Sequence, residues 1–194
     1  MKALALWAVW FALVYTSALI YLAPVSVVSS WAEEAVGIAI EPVAGSVWAG
    51  AVRVRRSGLP STDIVWQPRF EAWSSGCAEW SVDVQTTSIK ALARAVVGVC
   101  PLDGLWYARN VDVHSIVAPW APLGSAYVDA LAGEVAGAIK AIHWRSGELS
   151  IDGRIVWRNA SVTVGGSVGL GQVSAQLRPQ GHQTVVDVVT QDGD

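Results

Sequence analysis

Ser146-Gly147-Glu148-Leu149-Ser150-Ile151-Asp152-Gly153-Arg154-Ile155-Val156-Trp157-Arg158 is the stretch on which the fold turns. After the Ser146-Gly147 turn signal, Ile151, Gly153, Ile155 and Trp157 alternate with Asp152, Arg154 and Arg158. A period of two is the signature of a strand with one apolar and one wet face. The same alternation places Val52 and Val54 against Arg53 and Arg55, Val82 and Val84 around Asp83, and Val111 and Val113 against Asp112 and His114. It recurs where Val173, Ala175 and Leu177 alternate with Gln172, Ser174, Gln176 and Arg178. Turn signals separate these runs at Ser57-Gly58-Leu59-Pro60, Ser74-Ser75-Gly76, Gly165-Gly166-Ser167 and Pro179-Gln180-Gly181, so short strands joined by tight turns predict antiparallel pairing and a mainly β fold.

Two segments depart from the alternation. Over 88–97, Ile89, Leu92, Ala93 and Val96 fall at helical intervals with Lys90 and Arg94 opposite, which predicts a short amphipathic helix. From 121 to 141 the alanines and Leu131 favour helix, while Gly124, Gly133 and Gly137 weaken it. A brief helix followed by a strand is expected there.

At the other end of the chain, Ala3 to Ala23 carries no charged side chain. At about 1.5 Å per residue the run gives a helix of roughly 31 Å, the thickness of a bilayer's hydrocarbon core. Leu4, Leu6, Val9, Phe11, Leu13, Val14, Leu19, Ile20 and Leu22 together favour insertion by about 3 to 5 kcal/mol. Lys2 precedes the run, the first charges after it are Glu33 and Glu34, and the first basic residue after it is Arg53. The positive-inside rule then predicts residues 1–2 as a cytoplasmic tip, 3–23 as a transmembrane helix and 24–194 as one exported β-rich domain. A cleaved signal peptide competes with this reading, with Thr16-Ser17-Ala18 as a weak cleavage site. The apolar run continues through Leu19 to Leu22, longer than such a leader needs.

Composition narrows the functional classes. Net charge is −3 and the thirteen basic residues are scattered, so no stripe follows a phosphate backbone and nucleic-acid binding is not expected. Hydrophobic residues at 53% suffice for one domain. Eleven tryptophans suit stacking on glycans or partner proteins, although for any single one the simpler role is filling a shallow β-core. Cys77 and Cys100 form an even pair that an oxidising compartment would allow to bridge; two buried thiols are the alternative. Neither lies in a CxxC or near ligand-spaced His or Asp, so no metal or cofactor is expected. His114, His143 and His182 are isolated, and no Gly-x-Ser-x-Gly elbow is present. Gly166-x-x-Gly169-x-Gly171 has phosphate-loop glycines in the wrong order and lacks a following helix. Asn159-Ala160-Ser161 fits a glycosylation sequon. Asp83, Asp112, Asp152 and Asp187 are expected on solvent faces of strands. No catalytic constellation emerges, and the chain reads as a non-enzyme.

Two motifs carry a family resemblance. Gly45-Ser46-Val47-Trp48-Ala49-Gly50 shortly after the apolar run resembles the Gly-Thr-Val-Trp-x-Gly signature of the type II secretion system protein N family (general secretion pathway protein N). Val65-Trp66-Gln67-Pro68 is similar to an element that follows it. The block with Trp144, Gly147 and Leu149, then Gly153, Ile155, Trp157 and Ala160, resembles the family's hairpin. The Pro-Leu-Gly that usually comes next is replaced by Gly165-Gly166-Ser167. The resemblance implies a curved antiparallel sheet of the AsmA-like kind with one or two short helices, placed in the bacterial periplasm as an inner-membrane accessory of the secretion machine. Its partners would be other inner-membrane and periplasmic secretion proteins, with lipid handling as the alternative. Signature residues Gly45, Val47, Trp48, Gly50, Trp66, Trp144, Gly147, Gly153, Trp157 and Ala160 read as structural: glycines turning the backbone, Trp48 capping the open end of the core, Trp144 facing Trp157 across the Ser146-Gly147 turn. Family members commonly continue with further strands past the position of Asp194. A sheet ending there would leave an unpaired edge open to strand addition.

Overall fold

A computed structural model describes residues 7, 10–12, 14–16, 23–24, 26, 39–55, 60–86, 91–117, 130–163, 166–181 and 183–191. Ten strands follow in chain order: β1 (Ala39–Gly45), β2 (Gly50–Arg55), β3 (Thr62–Arg69), β4 (Ala78–Thr86), β5 (Leu92–Cys100), β6 (Leu105–Ile116), β7 (Ala130–Arg145), β8 (Glu148–Thr163), β9 (Ser167–Gln180) and β10 (Gln183–Gln191). Each pairs antiparallel with the next, giving one open sheet in the order β1 to β10. A 3₁₀ turn, Phe70–Ser75, links β3 to β4 and closes on Gly76 in the left-handed region. The mainly β, antiparallel architecture expected from the alternation is what is found.

Register sorts the side chains onto two faces. One row of mutually opposed residues crosses nine strands as Val52, Ile64, Val84, Ala93, Val113, Gly137, Ile155, Ala175 and Val188, with no polar side chain among them. The adjacent row on the opposite face reads Val65, Asp83, Arg94, Asp112, Ala138, Arg154, Gln176 and Asp187. At about 4.8 Å between strands, the apolar row is roughly 40 Å wide. Each strand packs chiefly on its sequence neighbours, and among the described residues nothing forms a second layer. Accordingly, among the described residues, Val52, Val96, Cys100 and Ala160 are the buried hydrophobic ones, and none is a large side chain sealed from solvent.

Bulges keep the long strands in step. Asn110 (φ 52°) and Asn159 (φ 50°) adopt the left-handed conformation that asparagine tolerates, at points where the β5–β6 and β8–β9 ladders shift register. Ser146 (φ 51°) and Gly147 (φ 88°) make the two-residue turn with both φ positive that matches strand twist.

Three expectations need correction or stand apart. The helix predicted over 88–97 is replaced from Leu92 onward by β5, because Val96, Val97 and Val99 suit a strand laddered on both sides, and that pairing overrides helical spacing. Residues 88–90 and 121–129, including the brief helix expected in the latter, lie outside the described residues; the strand expected after it is β7. Among the described residues no helix is long and apolar enough to cross a membrane, and most of the apolar run 3–23 lies outside them.

Candidate functional site: the apolar face and its tryptophan-rich end

The apolar face offers two shallow grooves. One lies between Val84, Thr86, Ala93, Val113, Ser115 and Val135. The other lies towards the end of the sheet where β3, β5, β7 and β9 finish, between Trp80, Val97, Trp106, Ala108, Ile142 and Trp144. Trp106 stands directly opposite Trp144 across β6 and β7, and Trp144 stands opposite Leu149 of β8. All three are about half exposed (57%, 53% and 49%), a large apolar area for side chains on the organised part of a sheet.

The Gly45–Gly50 signature closes this same end. A side chain on Gly50 would collide with the Trp66 ring and Ser46 O, and Gly45 has φ 99° with Ala49 O in the space a Cβ would need. Ser46 Oγ accepts from the Trp48 and Ala49 amides (3.3 Å each), and Trp66 Nε1 donates to Val47 O at 2.9 Å. Trp66 therefore pins the turn, joining two motifs that stand apart in sequence. Trp48 stacks on Trp80 (centroids 5.6 Å) and leans on Trp73 (6.3 Å), which in turn meets Phe70 edge-on (4.9 Å).

The second signature block also sits at backbone irregularities. Trp157 Nε1 donates to Ala132 O at 3.0 Å, beside Gly133 (φ 115°), where a Cβ would strike Arg158 O. Gly153 is buried, and a Cβ there would come within 2.7 Å of Ile139 Cα, where β7 shifts register against β8. Ala160, 2% exposed, follows the Asn159 bulge. Trp144 and Trp157 do not face each other: the two-residue turn pairs Arg145 with Glu148, so Trp144 meets Leu149 while Trp157 meets Val135 far along the hairpin.

The polar face is held by ion pairs across neighbouring strands. Arg53 grips Asp63 through two hydrogen bonds (2.7 and 3.1 Å), which hold the Asp63 carboxyl below its ordinary range and raise Arg53, and Arg94 Nε meets Asp83 at 2.7 Å. Among the described residues Glu79 is the buried charged side chain, at 3% exposure. It accepts from the Tyr107 hydroxyl (2.7 Å) and from Arg109 (2.8 Å), so its buried charge is matched. Tyr107, partly exposed, lies over Gly98 beside Glu79; desolvation first, then the hydrogen bond to Glu79, pushes its pKa up to about 12. The Cys77–Cys100 disulfide flanks this cluster. Sequence reading did not find the cluster, since Glu79, Tyr107 and Arg109 are brought together by β4–β5–β6 register alone.

The remaining positions singled out in the sequence scatter. Asp83, Asp112, Asp152 and Asp187 all fall on the polar face, by their registers with Arg94, Ala138, Ala141 and Gln176. His114 and His143 stand there opposite Ala136 and Ser150, and His182 lies outside the described residues. Gly169 and Gly171 belong to β9 and Gly166 to the turn before it, so no helix N-terminus follows them. Among the described residues no three metal-ligating side chains gather.

Comparison with curated proteins and with solved structures finds no match. A family model, by contrast, matches residues 36–194, which take in all ten strands and both signature blocks. On that match the chain belongs to the family of type II secretion system (T2SS), protein N.

Proposed function

We propose that this protein is a non-enzymatic accessory or scaffold of the type II secretion machine, using its apolar sheet face to dock other secretion components. The observation that carries the reading is the nine-strand apolar row, which nothing covers among the described residues. Such a face is costly in water unless a partner covers it. In this reading residues 3–23 anchor the chain in the bacterial inner membrane, the N-terminus stays cytoplasmic, and residues 24–194 lie in the periplasm. The uncharged run, its flanking charges and the disulfide, which suits an oxidising compartment, support that placement. Crosslinking in intact cells is expected to join the domain to inner-membrane secretion proteins. Recovery of the domain alone, with normal export from a deletion strain, would overturn the proposal.

The two apolar grooves favour a second reading, in which the face holds acyl chains. Phospholipid co-purifying with the protein and lost on Ile155→Asp would support it; a lipid-free preparation that still crosslinks to secretion proteins would exclude it.

A further inference from the structure

We infer that the tryptophan-rich end of the sheet rests on the surface of the bilayer, so that the strands stand upright from the membrane. Two independent observations meet at this end. The first is the path of the chain. Val47 N donates to Ala23 O at 3.0 Å, and Pro24 bridges to Ser46, so the residues that finish the apolar run are fastened to the Gly45–Gly50 turn. An apolar run lying in lipid therefore delivers this turn, and the connections Phe70–Ser75, 101–104 and 146–147 beside it, to the interface. The second is composition. Phe70 (59% exposed), Trp73 (47%), Leu102 (91%), Trp106 and Trp144 are displayed at this end.

Tryptophan is the side chain that prefers the headgroup region, with an apolar ring and one N–H donor. The charges at this end do not oppose contact with lipid. Arg69 pairs with Glu71 at 2.6 Å and Arg145 with Asp103 at 3.8 Å, leaving those carboxylates matched against an anionic headgroup layer. The contact is thus driven by aromatic and apolar insertion rather than by a basic patch. With this end on the membrane, the 16-residue strands β7 and β8 reach roughly 50 Å outward. The apolar face is then perpendicular to the bilayer and open sideways to a protein partner.

The inference rests on the proposed anchoring of residues 3–23, and one experiment separates the two. Full-length protein is placed in phosphatidylcholine vesicles with brominated acyl chains, carrying an environment-sensitive fluorophore at Leu149→Cys or at Gly166→Cys, with the disulfide left intact. Leu149 is at the tryptophan-rich end and Gly166 at the other. The expected result is loss of most emission at position 149, none at 166, and recovery of emission at 149 when Trp106→Gln and Trp144→Gln are combined. A protein that co-floats with vesicles but is unquenched at 149, or equally quenched at both positions, overturns the upright placement alone. A protein that does not co-float overturns the anchoring and the placement together.

Discussion

The two faces of this sheet are made from alternate residues of the same strands, yet they solve the problem of water in opposite ways. On the polar face charges are matched within the molecule at three places: Arg53 answers Asp63, Arg94 answers Asp83, and buried Glu79 is answered by Tyr107 and Arg109. On the apolar face the row from Val52 to Val188 is answered by nothing among the described residues. One face is matched within the chain; in the proposed reading a partner covers the other. Function should therefore be sought on the face with no charged chemistry.

Substitutions can break or sharpen this contrast. One of the two largest effects on stability is expected on the apolar face at Gly153→Val, because the new side chain meets the Ile139 backbone rather than a side chain that can move. A loss of about 3 kcal/mol is expected in chemical denaturation. Gly169→Val, which meets nothing, should stay within about 0.5 kcal/mol. A mild Gly153→Val would mean that β7 and β8 are more loosely joined than the register implies.

On the polar face, replacing both Cys77 and Cys100 by serine opens a loop closed over a separation of 23 residues, and should cost about 3 kcal/mol if unfolded-chain entropy dominates. Equal stability with and without reductant would contradict it. Glu79→Gln should cost less, about 1 to 2 kcal/mol, because Arg109 is 44% exposed and water screens its half of the pair. If the loss matched that of Gly153→Val, the polar face would owe its order to one carboxylate rather than to many small pairs.

The smallest effect is a pH dependence. The folded Tyr107 hydroxyl titrates at about 12 against an ordinary value of 10.0, so the folded state holds its proton more tightly than the unfolded one. That contribution is fully present below pH 10 and is lost as pH rises from 10 towards 12. Absorbance titration should show a late-ionising component that is lost in Tyr107→Phe.

Much of this was legible in the chain. Period-two alternation gave β2, β4, β6, β8 and β9 and put the four singled-out aspartates on one face, since the pleat alone decides sidedness. Of the signature glycines, Gly45, Gly50 and Gly153 sit where a Cβ has no room. What failed was non-local. Strand β5 read as helix because Leu92, Ala93 and Val96 fall at helical intervals with Arg94 opposite, and only its two neighbours impose the strand. Trp144 and Trp157 looked like partners because spacing in sequence does not reveal hairpin register. The pin from Trp66 to Val47 and the Glu79 cluster were invisible for the same reason: each joins residues from separate strands or turns.

The central claim, that the apolar face is the docking surface, is tested most directly by photo-crosslinking in intact secreting cells from single positions on adjacent residues of β9. A photoreactive side chain at Ala175 or Leu177, on the apolar face, should give crosslinks to another secretion component, while the same group at Ser174 or Gln176 should give none. Crosslinks from Ser174 and Gln176 alone would show that the partner binds the ion-paired face, and the account would be wrong.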